Sequence, residues 1–377
     1  MHYLNNAGAG IVADETLHAV VQHFSLEQKV GPYAAARQVA DEMAECYASA
    51  AAILGAPTEA ISLHDSASRA WNMALYGCGL KRGDRIVTLS SEFGTNLVTL
   101  YHYARQVGAA VKVVPCDPRG DFDLTQFERY VADGAKLVAV SHAAAHGSIV
   151  NPVEKIGGIA ARYGATYLVD GCQAVGQIPV NVSTLHCDVY TGSGRKWLRG
   201  PRGTAFLYVR QGSDVHTPQV DLASADLAIR DGVVTGVDVR TDGRQFELWE
   251  RSVASFMGLG VALSQYRNVD QQNVSEDLAA QATRLRAAVL SNPLMRLIGH
   301  VDARTGIVGF YLSDPDREAD LQAAFDQAGL VISTMADWDC PLHFPTNGAT
   351  RIFRLSPHFQ TSAETIELAG HVLEQFG

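Results

Sequence analysis

The stretch "KLVAVSHAAAHGSIVNPVEKIGGIAARYGATYLVD" (136–170) contains two short apolar runs, an amphipathic segment between them and a carboxylate at its end. "KLVAVS" (136–141) and "TYLVD" (166–170) are too short for helices and rich in residues that suit buried strands. "PVEKIGGIAARYG" (152–164) reads as an amphipathic helix. A strand, a helix and a second strand in succession predict two parallel neighbours in one sheet.

The same alternation continues in both directions. "AISLHD" (60–65), "DRIVTLS" (84–90), "AVKVVP" (110–115), "DVYTG" (188–192) and "TAFLYV" (204–209) read as further strands. "SRAWNMALYGCGL" (68–80) and "TNLVTLYHYARQVG" (95–108) read as helices. The expected fold class is α/β, with a seven-stranded, mainly parallel sheet flanked by helices. Beyond about residue 250 the pattern changes. "WERSVASFMGLGVALSQYR" (249–267) reads as a long helix linking two units. "IVGFYLS" (307–313), "DLQAAFDQAGL" (320–330) and "RIFRLSPH" (351–358) read as a smaller C-terminal α/β domain. Residues 210–245 read as loop with a short hairpin. A chain of 377 residues is too long for one core, in keeping with two units.

Bulk properties exclude several classes of function. The net charge of −10 disfavours nucleic-acid and membrane-surface partners, which call for a basic stripe. The six cysteines (Cys46, Cys78, Cys116, Cys172, Cys187 and Cys340) form no C-x-x-C pair and fit no zinc spacing. They read as free thiols in a reducing cytoplasm, so no metal and a cytoplasmic location are expected. "MHYLNNAGAG" (1–10) lacks the form of a signal peptide, and no apolar run approaches the roughly 18 residues of a membrane span.

Sheets of this kind place ligands beyond the carboxyl ends of their strands, so the polar residues there are the candidates. Asp170 ends an apolar run in "YLVDGCQAVG" (167–176), either as a helix N-cap or as a functional carboxylate, with Gln173 three residues on. Lys196 in "TGSGRKWLRGPRG" (191–203) is either a solvated charge or, beside Trp197 and Leu198, a desolvated amine able to form a Schiff base. Ser66, Ala67 and Ser68 lie between a strand and a helix, where free N–H groups either take an ordinary serine cap or bind a phosphate. Together these three pieces describe pyridoxal 5'-phosphate, which needs a lysine, a carboxylate on its ring nitrogen and a phosphate cup.

With these residues the chain resembles the fold-type-I pyridoxal-phosphate enzymes of aminotransferase class V, the cysteine desulfurase-like group. "YLNNAGAG" (3–10), containing Asn6, resembles that family's opening segment, and Asn6 is expected on the substrate side. "DGCQAVG" resembles its D-G-A-Q motif, which implies Asp170 on the ring nitrogen and Gln173 on the ring O3′. "SGRKWLRGPRG" resembles S-G-H-K, which implies Ser193 as a phosphate ligand and Lys196 as the Schiff-base lysine. Arg195 replaces the usual histidine and is expected at the phosphate, with Ala67 and Ser68 completing the cup. "RIFRLSPHF" (351–359) resembles the closing segment, which implies Arg354 as the clamp for a substrate carboxylate. The residue stacked on the ring is expected in "SSEFGTN" (90–96), as Phe93 or, in another register, with Gly94 at that place. His146 falls where relatives usually carry Asn, and is either a second acid/base group or a packed histidine. The resemblance implies a large cofactor-binding domain over 12–255 and a small domain from 1–11 with 256–377. It also implies a homodimer, with Arg244 and Glu250 as candidate contributors across the interface.

The fold does not choose the chemistry. The nearest likeness is to ergothioneine-type and isopenicillin-epimerase-like proteins and to lincosamide-pathway enzymes. It implies a carbon–sulfur β-lyase acting on an S-conjugated cysteine, as in antibiotic biosynthesis, releasing thiol, pyruvate and ammonia. Alternatives are decarboxylation-dependent oxidative deamination of the same kind of conjugate, aminotransfer, cysteine desulfuration and a non-catalytic binding module. Desulfuration needs a mobile nucleophilic cysteine. Cys340 is the candidate, although Asp337 and Asp339 oppose a thiolate there.

Overall fold

The computed structural model describes residues 2–346 and 348–377. A two-residue strand, β1 (His2–Tyr3), opens the chain and is followed by helices α1 (Asp14–Val30), α2 (Pro32–Gln38) and α3 (Ala40–Leu54). The alternating segment then runs β2 (Ile61–His64), α4 (Ala67–Gly77), β3 (Arg85–Leu89), α5 (Gly94–Val107), β4 (Ala110–Val114), α6 (Leu124–Ala132) and β5 (Ala135–Ser141). It continues through α7 (Val153–Arg162), β6 (Thr166–Asp170), α8 (Val182–Leu185), β7 (Val189–Ser193) and β8 (Ala205–Val209). These seven strands form one sheet in the order β2-β8-β7-β6-β5-β3-β4. Only β8 runs against its neighbours, so the sheet is mainly parallel as expected.

The sheet is covered on both faces because successive side chains of a strand point to opposite sides. Leu137 and Ala139 of β5 join Leu168 and Leu207 beneath Trp71, Leu75 and Leu100 of α4 and α5. Val138 and Val140, one residue out of step, join Tyr167, Val169, Tyr190 and Phe206 in the opposite layer. This double burial explains why the strands read as nearly continuous apolar runs. At the sheet edge, β4 exposes Ala110 and Lys112, and a charged side chain there discourages pairing with another chain.

After β8 the chain forms an antiparallel hairpin, β9 (Ala225–Arg230) and β10 (Val233–Val239), whose Leu227, Ile229, Val233, Val234 and Val237 are exposed. Helix α9 (Val253–Arg267) packs against α1 and α3. Then come α10 (Gln271–Ser291), β11 (Met295–Ile298), β12 (Val308–Leu312), α11 (Glu318–Gln327), β13 (Leu330–Val331), β14 (Ser333–Met335), β15 (Ile352–Leu355) and α12 (Ala363–Gln375). Strands β11-β12-β15-β14 form a second, antiparallel sheet whose core contains Leu285, Phe310, Phe325, Phe353 and Leu373. The chain's first residues return to this part, since β1 pairs in parallel with β13 and Leu4 lies in the same core. Strand β12 approaches the segment that follows β5 closely at Gly309, where a Cβ would lie 1.9 Å from the carbonyl oxygen of His146.

Candidate active site

Three carboxyl-terminal strand ends and one helix start meet at a single cavity. Its lining includes Ser66, Ala67, Ser68, Phe93, Asn96, Asp170, Cys172, Ser193, Arg195, Lys196 and Thr204. Asp170 ends β6, Ser193 ends β7, and α4 starts at Ala67 immediately after β2. The sheet brings these residues together because its parallel strands all end at the same edge.

Asp170 is not a helix N-cap. Its Oδ1 accepts from the Cys172 backbone N–H at 2.9 Å and the Thr191 hydroxyl at 3.2 Å. Its Oδ2 accepts from Asn96 Nδ2 at 2.8 Å, and an ionised carboxylate still has a lone pair for a ligand. Lys196 sits in a tight loop in which Gly200 N–H donates to the Gly194 carbonyl at 2.7 Å and Arg199 N–H to the Lys196 carbonyl at 3.0 Å. Arg199 takes a left-handed φ of 57° to close it. Buried Trp197 and Leu198 anchor this loop, as their size demands. The Lys196 ammonium makes no hydrogen bond or ion pair with any described residue. Burial pushes it below the usual lysine range, and Arg195 and Arg354 act in the same sense. Asp170 opposes the shift. The Cys172 thiol, pushed well above its usual range by burial, stays neutral and brings no charge at neutral pH.

At α4, Ser66 caps the helix by accepting from Arg69 N–H at 3.2 Å. The N–H groups of Ala67 and Ser68 have no partner among the described residues, which makes an anion site at a helix start. Arg195 lines the same cavity and donates to the Gly8 carbonyl. Phe93 borders the cavity, whereas a Cβ on Gly94 would lie 1.8 Å from the Trp338 carbonyl oxygen. The close backbone approach excludes a side chain at 94.

Arg354 is buried on β15. Its Nε donates to Ser333 Oγ at 3.0 Å and its Nη1 to the Ala145 carbonyl at 2.9 Å. Among the described residues no carboxylate lies within ion-pair reach of it, and burial lowers its pKa to about 10. A buried guanidinium without an acid is costly, and an arriving carboxylate would offset that cost.

Three expected site residues are placed differently. His146 does not border the cavity. Its Nε2 donates to His343 Nδ1 at 2.9 Å, because His343 Nε2 must itself donate to the Asp117 carbonyl, 2.6 Å away. Burial, with His343 and Arg354, lowers the His146 pKa to about 3, which favours the packed neutral imidazole of the two readings. Gln173 is also off the cavity lining. Its Oε1 accepts from the Trp197 indole at 3.0 Å and its Nε2 donates to the Ala7 carbonyl at 3.0 Å, leaving one N–H for any ligand. Asn6 donates to the Ser356 carbonyl at 2.9 Å and ties the opening segment to β15.

The sequence reading passed over Glu92 and Asn96. Glu92 is buried, and its Oε1 accepts from Phe93 N–H at 2.9 Å, from Asn96 Nδ2 at 2.9 Å and from the Ser141 hydroxyl. Its Oε2 accepts from Ser141 N–H at 2.6 Å. Burial pushes the Glu92 carboxyl up to about 7. The charge of Asp170 acts in the same sense, and the hydrogen bonds from Ser141, Asn96 and Phe93 oppose it. The available signal was an acidic residue directly after the buried strand "DRIVTLS". His358 was also missed: its Nε2 donates to the Trp197 carbonyl at 3.1 Å and holds the lysine loop against the closing segment.

Residues 2–368 match the aminotransferase class-V family. A probable cysteine desulfurase of Methanothermobacter thermautotrophicus is 26% identical over 347 residues, 92% of this chain and 86% of that one. Among solved structures, the apo cysteine desulfurase of Thermococcus onnurineus NA1 superposes with a TM-score of 0.87 at 24% identity, covering 99% of this chain and 94% of that one. The cystine C-S lyase C-DES, in complex with its reaction product cysteine persulfide, superposes with a TM-score of 0.87 at 22% identity, covering 100% and 98%. At these identities the two structures establish the shared fold.

Proposed function

The chain belongs to aminotransferase class V, and from that premise we propose that it is a pyridoxal-phosphate enzyme cleaving the carbon–sulfur bond of an S-substituted cysteine. The observation that carries the cofactor is the convergence of an unpartnered lysine, a carboxylate and an open helix start on one cavity. These residues fit the group. Lys196 would hold its aldehyde, Asp170 its ring nitrogen, Phe93 its face, and Ala67, Ser68, Ser193 and Arg195 its phosphate. When bound, the cofactor supplies an electron-poor ring that takes up charge from a bond broken at the substrate Cα. Arg354 binds the substrate carboxylate through its planar fork. Lys196 Nζ, once the substrate amine has displaced it from the aldehyde, would take the proton from Cα, the thiolate would leave from Cβ, and hydrolysis would yield pyruvate and ammonia.

Cys340 favours elimination over desulfuration. It is buried among Ala144, Ile149, Ile298, Met335 and Ile352. Burial, with Asp339 and Asp337, pushes its thiol up to about 12, and a persulfide-accepting cysteine needs the opposite. The second reading, cysteine desulfuration, is favoured by the names of relatives and keeps its place for that reason. Products of S-substituted cysteines separate the two: pyruvate supports elimination, alanine desulfuration, and an S-linked aldehyde decarboxylation with oxidation. Under elimination, Cys340→Ala keeps its full rate, and a loss of turnover there would favour the desulfurase.

Arg354→Ala is expected to raise the KM for α-carboxylate substrates by about 10- to 100-fold, the worth of one charged hydrogen-bonding partner. An unchanged KM would move the carboxylate site elsewhere. The apolar exposed face of the β9–β10 hairpin supports a homodimer, for which sedimentation at twice the chain mass is the check.

A further inference from the structure

We propose that Glu92 and Asn96 are positioning residues for Asp170: buried Glu92 orients the Asn96 amide, whose second N–H fixes Asp170 Oδ2 and leaves that carboxylate's cavity side for the cofactor ring nitrogen. This inference rests on the cofactor reading above. Asn96 Nδ2 donates to Glu92 Oε1 at 2.9 Å and to Asp170 Oδ2 at 2.8 Å, so one amide nitrogen joins two carboxylates. The amide is set this way round because reversal would leave two carboxyl oxygens without the N–H donors they now share.

The cost of this arrangement argues for a role beyond packing. Among the described residues Glu92 has no cationic partner, and it is held by four donors from Phe93, Asn96 and Ser141. An apolar side chain would fill a buried site at lower cost than an unpaired acid. The network also spans rigid parts of the fold. Glu92 follows β3, Asn96 lies in the first turn of α5, Ser141 ends β5 and Asp170 ends β6, and β3, β5 and β6 are adjacent in the sheet. Side chains held by strand ends and a helix start keep a fixed geometry better than loop residues do. With its carboxyl pushed up to about 7, Glu92 carries a charge only toward and above neutral pH, and there it adds negative charge behind Asp170, which favours a protonated ring.

Glu92→Gln and Asn96→Ala test this. Glu92→Gln keeps the shape but places an NH₂ either against Ser141 N–H or against Asn96 Nδ2, so one of the bonds is lost. Asn96→Ala breaks only the bridge, leaves every Glu92–Ser141 bond intact, and keeps the test available if Glu92→Gln does not fold. Both variants are expected to lose about 10- to 100-fold in kcat with little change in KM, as when an outer partner of a ligating group is removed. The pH at which the bound cofactor's visible band loses its proton is expected to fall by roughly half a unit in Glu92→Gln, because the charge that Glu92 carries above about pH 7 is gone. Cofactor loss on dialysis should be faster in both. Wild-type spectra, retention and rates in both variants would overturn the inference and leave the cofactor reading standing. A colourless wild-type protein that takes up no pyridoxal phosphate would overturn that reading and this one with it.

Discussion

Lys196→Ala is expected to abolish the visible absorbance of the purified protein and to lower turnover by about a thousandfold or more. Two roles disappear with one amine: the covalent hold on the cofactor aldehyde and the base that removes the Cα proton. Lys196 suits both because burial pushes its ammonium below the usual lysine range, which makes the proton easier to shed. Arginine at this position would keep a charge but not a nucleophile, and Lys196→Arg should fail equally. The fold should survive, because the loop is anchored by Trp197 and Leu198 and by the His358–Trp197 bond, and not by the lysine side chain. Borohydride reduction of the wild-type protein followed by peptide mapping should label residue 196. Active protein left unlabelled there would remove Lys196 from the mechanism.

Asp170→Ala is expected to cost turnover far more than stability. The proposed partner of the ring nitrogen is lost, and preorganised charge of this kind is worth about 10²–10³ in kcat. The donors that Asp170 now satisfies, on Asn96, Cys172 and Thr191, lose an acceptor. Water entering the cavity can meet part of that need, so unfolding should shift by only about 1–3 kcal/mol. Asp170→Asn is the sharper variant. Its NH₂ would face Asn96 Nδ2, a clash of donors that Asn96 cannot relieve by flipping, because its oxygen would then face Glu92. Turnover should therefore fall in Asp170→Asn despite the matched shape. A rate equal to wild type in either variant would place the ring-nitrogen partner elsewhere.

Much of this site was legible before any coordinates because its parts lie close to strand ends. Asp170 ends the run "TYLVD", Ser193 and Lys196 follow "DVYTG", and Ala67 and Ser68 follow "AISLHD". Strand periodicity and a parallel topology are enough to send such residues to one edge. Phe93 was legible as one of two registers, and the structure adds that Phe93 lines the cavity while the Trp338 backbone presses on Gly94.

What the sequence determined by itself was therefore the sheet, its seven strands and the residues that end them, because burial on both faces imposes a pattern on consecutive residues. What the tertiary structure alone decided was which polar groups pair across the chain. His146 is taken up by His343, 197 residues away. Gln173 is shared between Ala7 and Trp197, Glu92 reaches Ser141, and Asn96 reaches Asp170. A hydrogen bond depends on distance and direction between two groups, and neither is encoded in the spacing of either residue along its own strand.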